Sequence, residues 1–160
     1  MTISKNLAKA INEQVKNEMY SANLYLAMAV NFDAMSLSGF ADFMYKQAKE
    51  EETHAMKFLK YLLDVGETPV ISAIPEPTNK FSGGIAMIKA SLAHEKKVTA
   101  MINNLVEIAE KEKDRASFQF LQWYVSEQVE EESTFENMLK LCEKAGEDKL
   151  FLVQGLVKRD

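Results

Sequence analysis

The sequence is poor in residues that break helices and in residues that cross-link chains. Three prolines and six glycines in 160 residues favour helices over strands and tight turns. Cys142 is the single cysteine, so no internal disulfide forms, and the residue reads as a small core group. No apolar run approaches the roughly 18 residues of a membrane span; Leu24 to Val30 is among the longest. The opening Met1-Thr2-Ile3-Ser4-Lys5-Asn6 lacks the apolar centre of a secretion signal. Acids outnumber bases 24 to 19, for a net charge of −5, which argues against nucleic acid as a partner. A cytoplasmic protein with neither membrane nor nucleic-acid partners is expected. The length suits one domain over residues 1–160, large enough to bury a core.

What is present is helical periodicity. Ser4 is positioned to cap a first helix that runs to about Asp33, and Met35 to Gly39 reads as a turn into a second helix ending near Asp64. All three prolines (Pro69, Pro75, Pro77) and three of the six glycines fall between Gly66 and Gly84, a density no helix survives. A connection of about eighteen residues reaches roughly 60 Å, more than the roughly 42 Å of a helix of about 28 residues, so it can join two parallel helices. A third helix is expected over Ile85 to Lys111 and a fourth over Arg115 to Lys144, with Gly146 as its C-terminal cap. The expected fold is all-α: a four-helix bundle over about 4–145, a long crossover between helices 2 and 3, and a short fifth helix over about 148–157. That last segment carries apolar groups on several faces, more than one bundle covers, so a partner subunit is expected against it.

Each long helix carries polar residues on its apolar stripe. Phe40, Met44, Gln47, Glu51, His54, Phe58 and Tyr61 alternate four and three apart, the track of a helix face turned into a bundle. Glu51 and His54 therefore point where Met44 and Phe58 point, and a carboxylate buried there is costly unless paired or bound to metal. Glu18 sits with Ile11, Tyr25 and Phe32, Glu95 with Leu92 and Ile102, and Gln128 and Glu131 with Leu121 and Phe135. The intervals repeat: Glu18 to Glu51 and Glu95 to Gln128 are each 33 residues, while Glu18 to Glu95, Glu51 to Gln128 and His54 to Glu131 are each 77. The chain thus reads as two similar hairpins. Glu18 and Glu51 are equidistant from one predicted turn, Glu95 and Gln128 from the other, all roughly 25 Å along the bundle. Six polar groups meet at one level, and the stripes bring no Lys or Arg to pair with them. Four carboxylates with one imidazole, one amide and no thiolate disfavour structural zinc and suit two iron or manganese ions. Such bundle sites take one Glu from each of two helices and Glu-x-x-His from each of the others. Here the second helix has Glu51-x-x-His54 but the fourth has Gln128-x-x-Glu131, so the site is asymmetric.

With these stretches, together with Asn12-Glu13-Gln14, Glu18-Met19-Tyr20-Ser21, Glu50-Glu51-Glu52-Thr53-His54, His94-Glu95 and Phe120 to Gln128, the whole chain resembles the haem-free bacterial ferritins. The resemblance implies that Glu18, Glu51 and His54 hold a first iron and that Glu51, Glu95 and Glu131 hold a second. It implies that Gln128 contacts an iron-bound oxygen species or a water, and that Glu50, Glu127 and Glu130 form a third, weaker iron position. Tyr25 matches the tyrosine beside the dinuclear centre, either as an electron donor or as an ordinary core aromatic. No haem is expected: the bacterioferritin branch has a haem-binding Met directly after the bridging glutamate, where Glu52 stands here, and a His where Glu131 stands. His94 and Trp123 lie off the stripes and are expected beside the layer rather than in it.

The function implied by the resemblance is an iron-storage ferroxidase, taking Fe²⁺ and O₂ (or H₂O₂) and laying down hydrous ferric oxide inside a homo-oligomeric shell of 24 subunits. The competing readings are a di-iron peroxidase or oxygenase of the same fold and a non-catalytic helical assembly protein. A di-iron oxygenase usually needs an electron-delivery partner or redox domain, and no Cys-x-x-Cys pair is present to hold one.

Overall fold

A computed structural model describes residues 3–159. Four long helices carry the fold: α1 (Lys5–Ala34), α2 (Ser38–Asp64), α3 (Gly84–Lys111) and α4 (Arg115–Ala145). None is long and apolar enough to cross a membrane. The ends form where local chemistry satisfies the unpaired backbone groups of a terminal turn. The Ser4 hydroxyl accepts from the Leu7 N–H, and the Asp114 carboxylate accepts from the Ser117 N–H. Beyond α2 and α4 the chain turns off through Gly66 (φ 87°) and Gly146 (φ 83°), a left-handed conformation that glycine adopts without steric cost. The start of α3 has no local side-chain cap; instead Glu147, just past α4, accepts from the Gly84 and Ile85 N–H groups.

Helices α1 and α2 pack as one antiparallel hairpin and α3 and α4 as another, with α1 against α3 between them. The crossover runs along α1: the Val70 N–H donates to the Asn12 side chain at 2.8 Å, and the Asn31 amide donates to the Asn79 carbonyl at 3.0 Å. It thus carries the chain the length of the bundle, and α2 and α3 run parallel, as the span estimate allows. Two apolar clusters fill the interior. One holds Met28, Phe32, Phe40, Met44 and Phe135 towards the α1–α2 turn; the other holds Leu7, Ile11, Phe58, Leu62 and Leu105 towards the opposite end. The polar layer lies between them.

After α4 the chain makes a 3₁₀ turn (Glu147–Lys149), a single-turn helix α5 (Leu150–Val153) and a second 3₁₀ turn (Gln154–Leu156). The expected fifth helix is therefore one α turn flanked by tighter ones. Its apolar groups divide. Leu150 (1 % exposed) and Val157 (8 %) join the core, while Phe151, Leu152 and Leu156 remain 57 %, 66 % and 71 % exposed. The Gly39 N–H donates to the Gln154 side-chain oxygen at 3.0 Å. A Cβ at Gly39 would lie 2.7 Å from the Gln154 carbonyl oxygen, closer than packed atoms allow. Gly39→Ala is therefore expected to unseat the tail and cost about 1–3 kcal/mol, the usual penalty of overpacking, readable by urea denaturation.

Candidate metal centre

The heptad-like tracks bring six polar residues to one level, and the core closes around them. Glu18, Glu51, His54, Glu95, Gln128 and Glu131 are each no more than 4 % exposed. Among the described residues, two groups of closely spaced donor atoms result: Glu18–Glu51–His54, all buried, and Glu50–His54–Glu127, nearer the surface. His54 joins them with its two ring nitrogens. Nδ1 lies 3.2 Å from Glu51 Oε2 and 3.8 Å from Glu18 Oε2, while Nε2 lies 3.9 Å from Glu50 Oε1. Glu18 Oε2 and His54 Nε2 are buried and make no hydrogen bond. Buried polar atoms are almost always satisfied, so an exception in each donor group, Glu18 Oε2 on the Nδ1 side of the His54 ring and Nε2 on the other, points to a ligand.

The remaining carboxylates are held by neighbours. Glu95 accepts from the Tyr25 hydroxyl and, at 3.0 Å, from the Gln128 amide. Glu131 accepts from Gln47 at 3.0 Å and from Arg159 at 2.5 Å. Glu95 and Glu131 are outside the tight Glu18–Glu51–His54 group; Gln128 and Tyr25 hold Glu95, while Arg159 holds Glu131 and the Gln47 amide bridges it to Glu51. Glu130 is exposed and stands at the rim of a cavity of about 340 Å³ that Glu50, Glu127, Glu131 and Arg159 also line.

So much acid in so little water shifts every proton equilibrium that responds. Burial pushes the Glu51 carboxyl well above its ordinary range, only partly opposed by its bond to His54. Burial and the nearby Glu131 charge raise Glu95 to about 7. Burial, against the pull of Arg159, also raises Glu131. For His54 burial works downward, but the Glu18 and Glu51 carboxylates facing its Nδ1 outweigh it and hold the imidazolium up to about 11. Burial first, then the Glu95 charge, keeps the Tyr25 hydroxyl protonated and so a donor.

His94 and Trp123 lie beside the layer, as their off-stripe positions predict. His94 Nε2 is 2.7 Å from the Ser21 hydroxyl, and burial lowers its pKa to about 4, leaving a neutral ring edge-on to Tyr25. Trp123 stands edge-on to the His54 ring with Lys57 over its face.

The expectation that no cation shares the layer is corrected. Arg159 reaches Glu131 and Glu50 from beyond the last helix, a place no stripe reveals. Gln14 and Gln47 are further participants, buried and donating to Glu18 at 2.8 Å and to Glu51 at 3.1 Å. Each stands four residues before its glutamate, and the two are 33 residues apart like the glutamates themselves. The interval is a signal that finds them.

An all-helical bundle of two similar hairpins around a buried layer of glutamates and one histidine defines the class of carboxylate-rich, metal-binding four-helix proteins. The Ferritin-like domain family matches residues 8–145, and the chain belongs to that family. It is 43 % identical over 146 residues to the bacterial non-heme ferritin of Staphylococcus haemolyticus, covering 91 % of this chain and 88 % of that protein. To the bacterial non-heme ferritin of Staphylococcus aureus it is 42 % identical over the same length, with the same coverage. The crystal structure of an open-pore ferritin from Archaeoglobus fulgidus superimposes with a TM-score of 0.95 at 40 % identity over 100 % of both chains.

Proposed function

We propose that this chain is an iron-storage ferroxidase, with Fe²⁺ as the substrate of the buried layer. Glu18, Glu51 and His54 take one ion; Glu51, Glu95 and Glu131 take the second, with Gln128 facing the oxygen side. Two ferrous ions each give up one electron, and with two protons the pair reduces O₂ to H₂O₂. Hard carboxylate oxygens suit the Fe³⁺ product, and an imidazole on one side only keeps the two positions unequal. Glu50, Glu127 and Glu130 then offer a weaker way-station at the mouth of the layer, on the route to a mineral enclosed by 24 copies of the chain.

The observation that carries this reading is the Glu18–Glu51–His54 convergence, with Glu18 Oε2 buried and making no hydrogen bond. Family membership and the relatives' names add the storage role. No haem is needed by this account, since Glu52 stands next to Glu51 and every proposed donor is an oxygen or the one imidazole.

Aerobic addition of Fe²⁺ tests storage against a catalyst of fixed stoichiometry. Retained iron is expected to rise far above the three positions per chain named here, in particles of shell mass by light scattering. Saturation at two or three irons per chain would favour a di-iron oxidase of the same fold instead.

A further inference from the structure

The carboxylates proposed as ligands on one side of the layer already hold a cation, and the chain supplies it. Arg159 Nε and Nη2 both lie 2.6 Å from Glu50 Oε2, and Nη2 lies 2.5 Å from Glu131 Oε1. One guanidinium thus ties α2 to α4 across the mouth of the cavity that Glu127 and Glu130 also line. The tail delivers it there by its own docking. Val157 is buried in the core, the Lys46 ammonium donates to the Arg159 carbonyl at 2.9 Å, and Gln154 accepts from the Gly39 N–H.

We propose that the tail is a metal-displaced latch: Arg159 neutralises and closes the Glu50–Glu131 side of the layer in the metal-free chain and leaves when a divalent cation takes those carboxylates. This rests on the metal-binding reading of the layer. Three features support it. A guanidinium cannot shed its charge to make room for a metal, because arginine stays protonated in proteins. A divalent ion bound to the same oxygens would face that fixed charge at a few Å in a partly desolvated site, where repulsion far exceeds thermal energy. And the segment that must move is short: Val157 is the last residue anchored in the core, and Lys158 and Arg159 beyond it belong to no helix. Moving it is a small rearrangement, whereas moving α2 or α4 would disrupt the core. Arg159 is thus a positioning residue. It sets the threshold at which the second and third ions enter, and it spares the metal-free layer part of its uncompensated charge.

The test uses the full-length assembled protein and Zn²⁺ as a redox-inert probe, without oxygen. A nitroxide on Lys158→Cys reports the tail directly, since Lys158 is exposed and Cys142 is buried. The label is expected to be restricted without metal and mobile at saturating Zn²⁺. In Arg159→Gln it should be mobile throughout. That variant should bind its weaker class of Zn²⁺ about tenfold more tightly, the factor expected when one charge-assisted competitor is removed. Arg159→Lys, which keeps the charge but loses the fork, should fall between. A label that stays restricted when Zn²⁺ saturates the wild-type sites would overturn the latch while leaving the metal site standing. Equal or weaker Zn²⁺ binding by a folded Arg159→Gln would overturn it as well. Failure of any form of the protein to bind Zn²⁺ or Fe²⁺ would remove the metal reading and the latch together.

Discussion

Replacing His54 with Ala is expected to weaken the first metal position by at least about 100-fold, measured by anaerobic Fe²⁺ titration. Loss of groups that merely orient a ligand costs about 10–100-fold, and His54 is proposed as a ligand itself and is the one nitrogen donor in the layer. Its effect should extend outward, because Nε2 faces Glu50 in the second donor group while Nδ1 faces Glu18 and Glu51. Rapid oxidation should therefore slow and the Glu50–Glu127 position should weaken in the same variant. Metal-free stability should also fall, by about 3 kcal/mol, because the buried Glu51 loses its cationic partner. This is the low end for breaking a buried pair, since Glu51 is already pushed towards its protonated form. Unchanged stopped-flow oxidation in a correctly assembled variant would remove His54 from the ligand set.

The second large effect is a pH dependence of stability that metal binding opposes. His54 is held up to about 11 against an ordinary 6.5. The stability it contributes is fully present below 6.5 and is lost as the pH climbs towards 11. Glu95, raised to about 7 from 4.5, keeps a proton that the unfolded chain has released. Its contribution is therefore lost as pH rises through that window, on the order of 3 kcal/mol for this residue alone. Glu51 and Glu131 shift in the same direction. Only at the acid end does His94 oppose them, since it is buried neutral and must gain a proton as pH falls from 6.5 towards 4. The metal-free protein should consequently melt at progressively lower temperature between about pH 6 and about pH 9. Metal needs the deprotonated carboxylates, so its affinity rises over the same range. The gap between the Zn²⁺-loaded and metal-free melting temperatures should widen steadily with pH. A metal-free melting temperature that climbs to about pH 9 would contradict the assigned proton equilibria.

The parts of this structure that the sequence reveals are those with a period. The stripe through Met44, Gln47, Glu51, His54 and Phe58 places Glu51 and His54 in the core because helix geometry leaves no other direction for them. The 33-residue interval sets Glu18 level with Glu51 because an antiparallel hairpin folds about its midpoint. Caps such as Ser4 and Gly146 are legible because their chemistry is local. Arg159 is hidden for the opposite reason. It lies 28 residues beyond Glu131 in a segment without a long helix, and only the docking of Val157 and Gln154 decides where it points. The cap on α3 escapes for the same reason, since Glu147 arrives from the far side of α4. Gln14 and Gln47 fall between these cases: their spacing marks them, but only packing shows that their amides serve the carboxylates.

One measurement bears most directly on the claim that the buried layer is a two-ion oxidation site: an anaerobic Fe²⁺ titration of the metal-free protein, followed by a pulse of O₂. The account predicts two ions per chain held tightly and a weaker third. The pulse should oxidise the tight pair in a fast phase with one O₂ consumed for every two irons. A single tight ion per chain, or bound iron that oxidises no faster than iron free in solution, would contradict it.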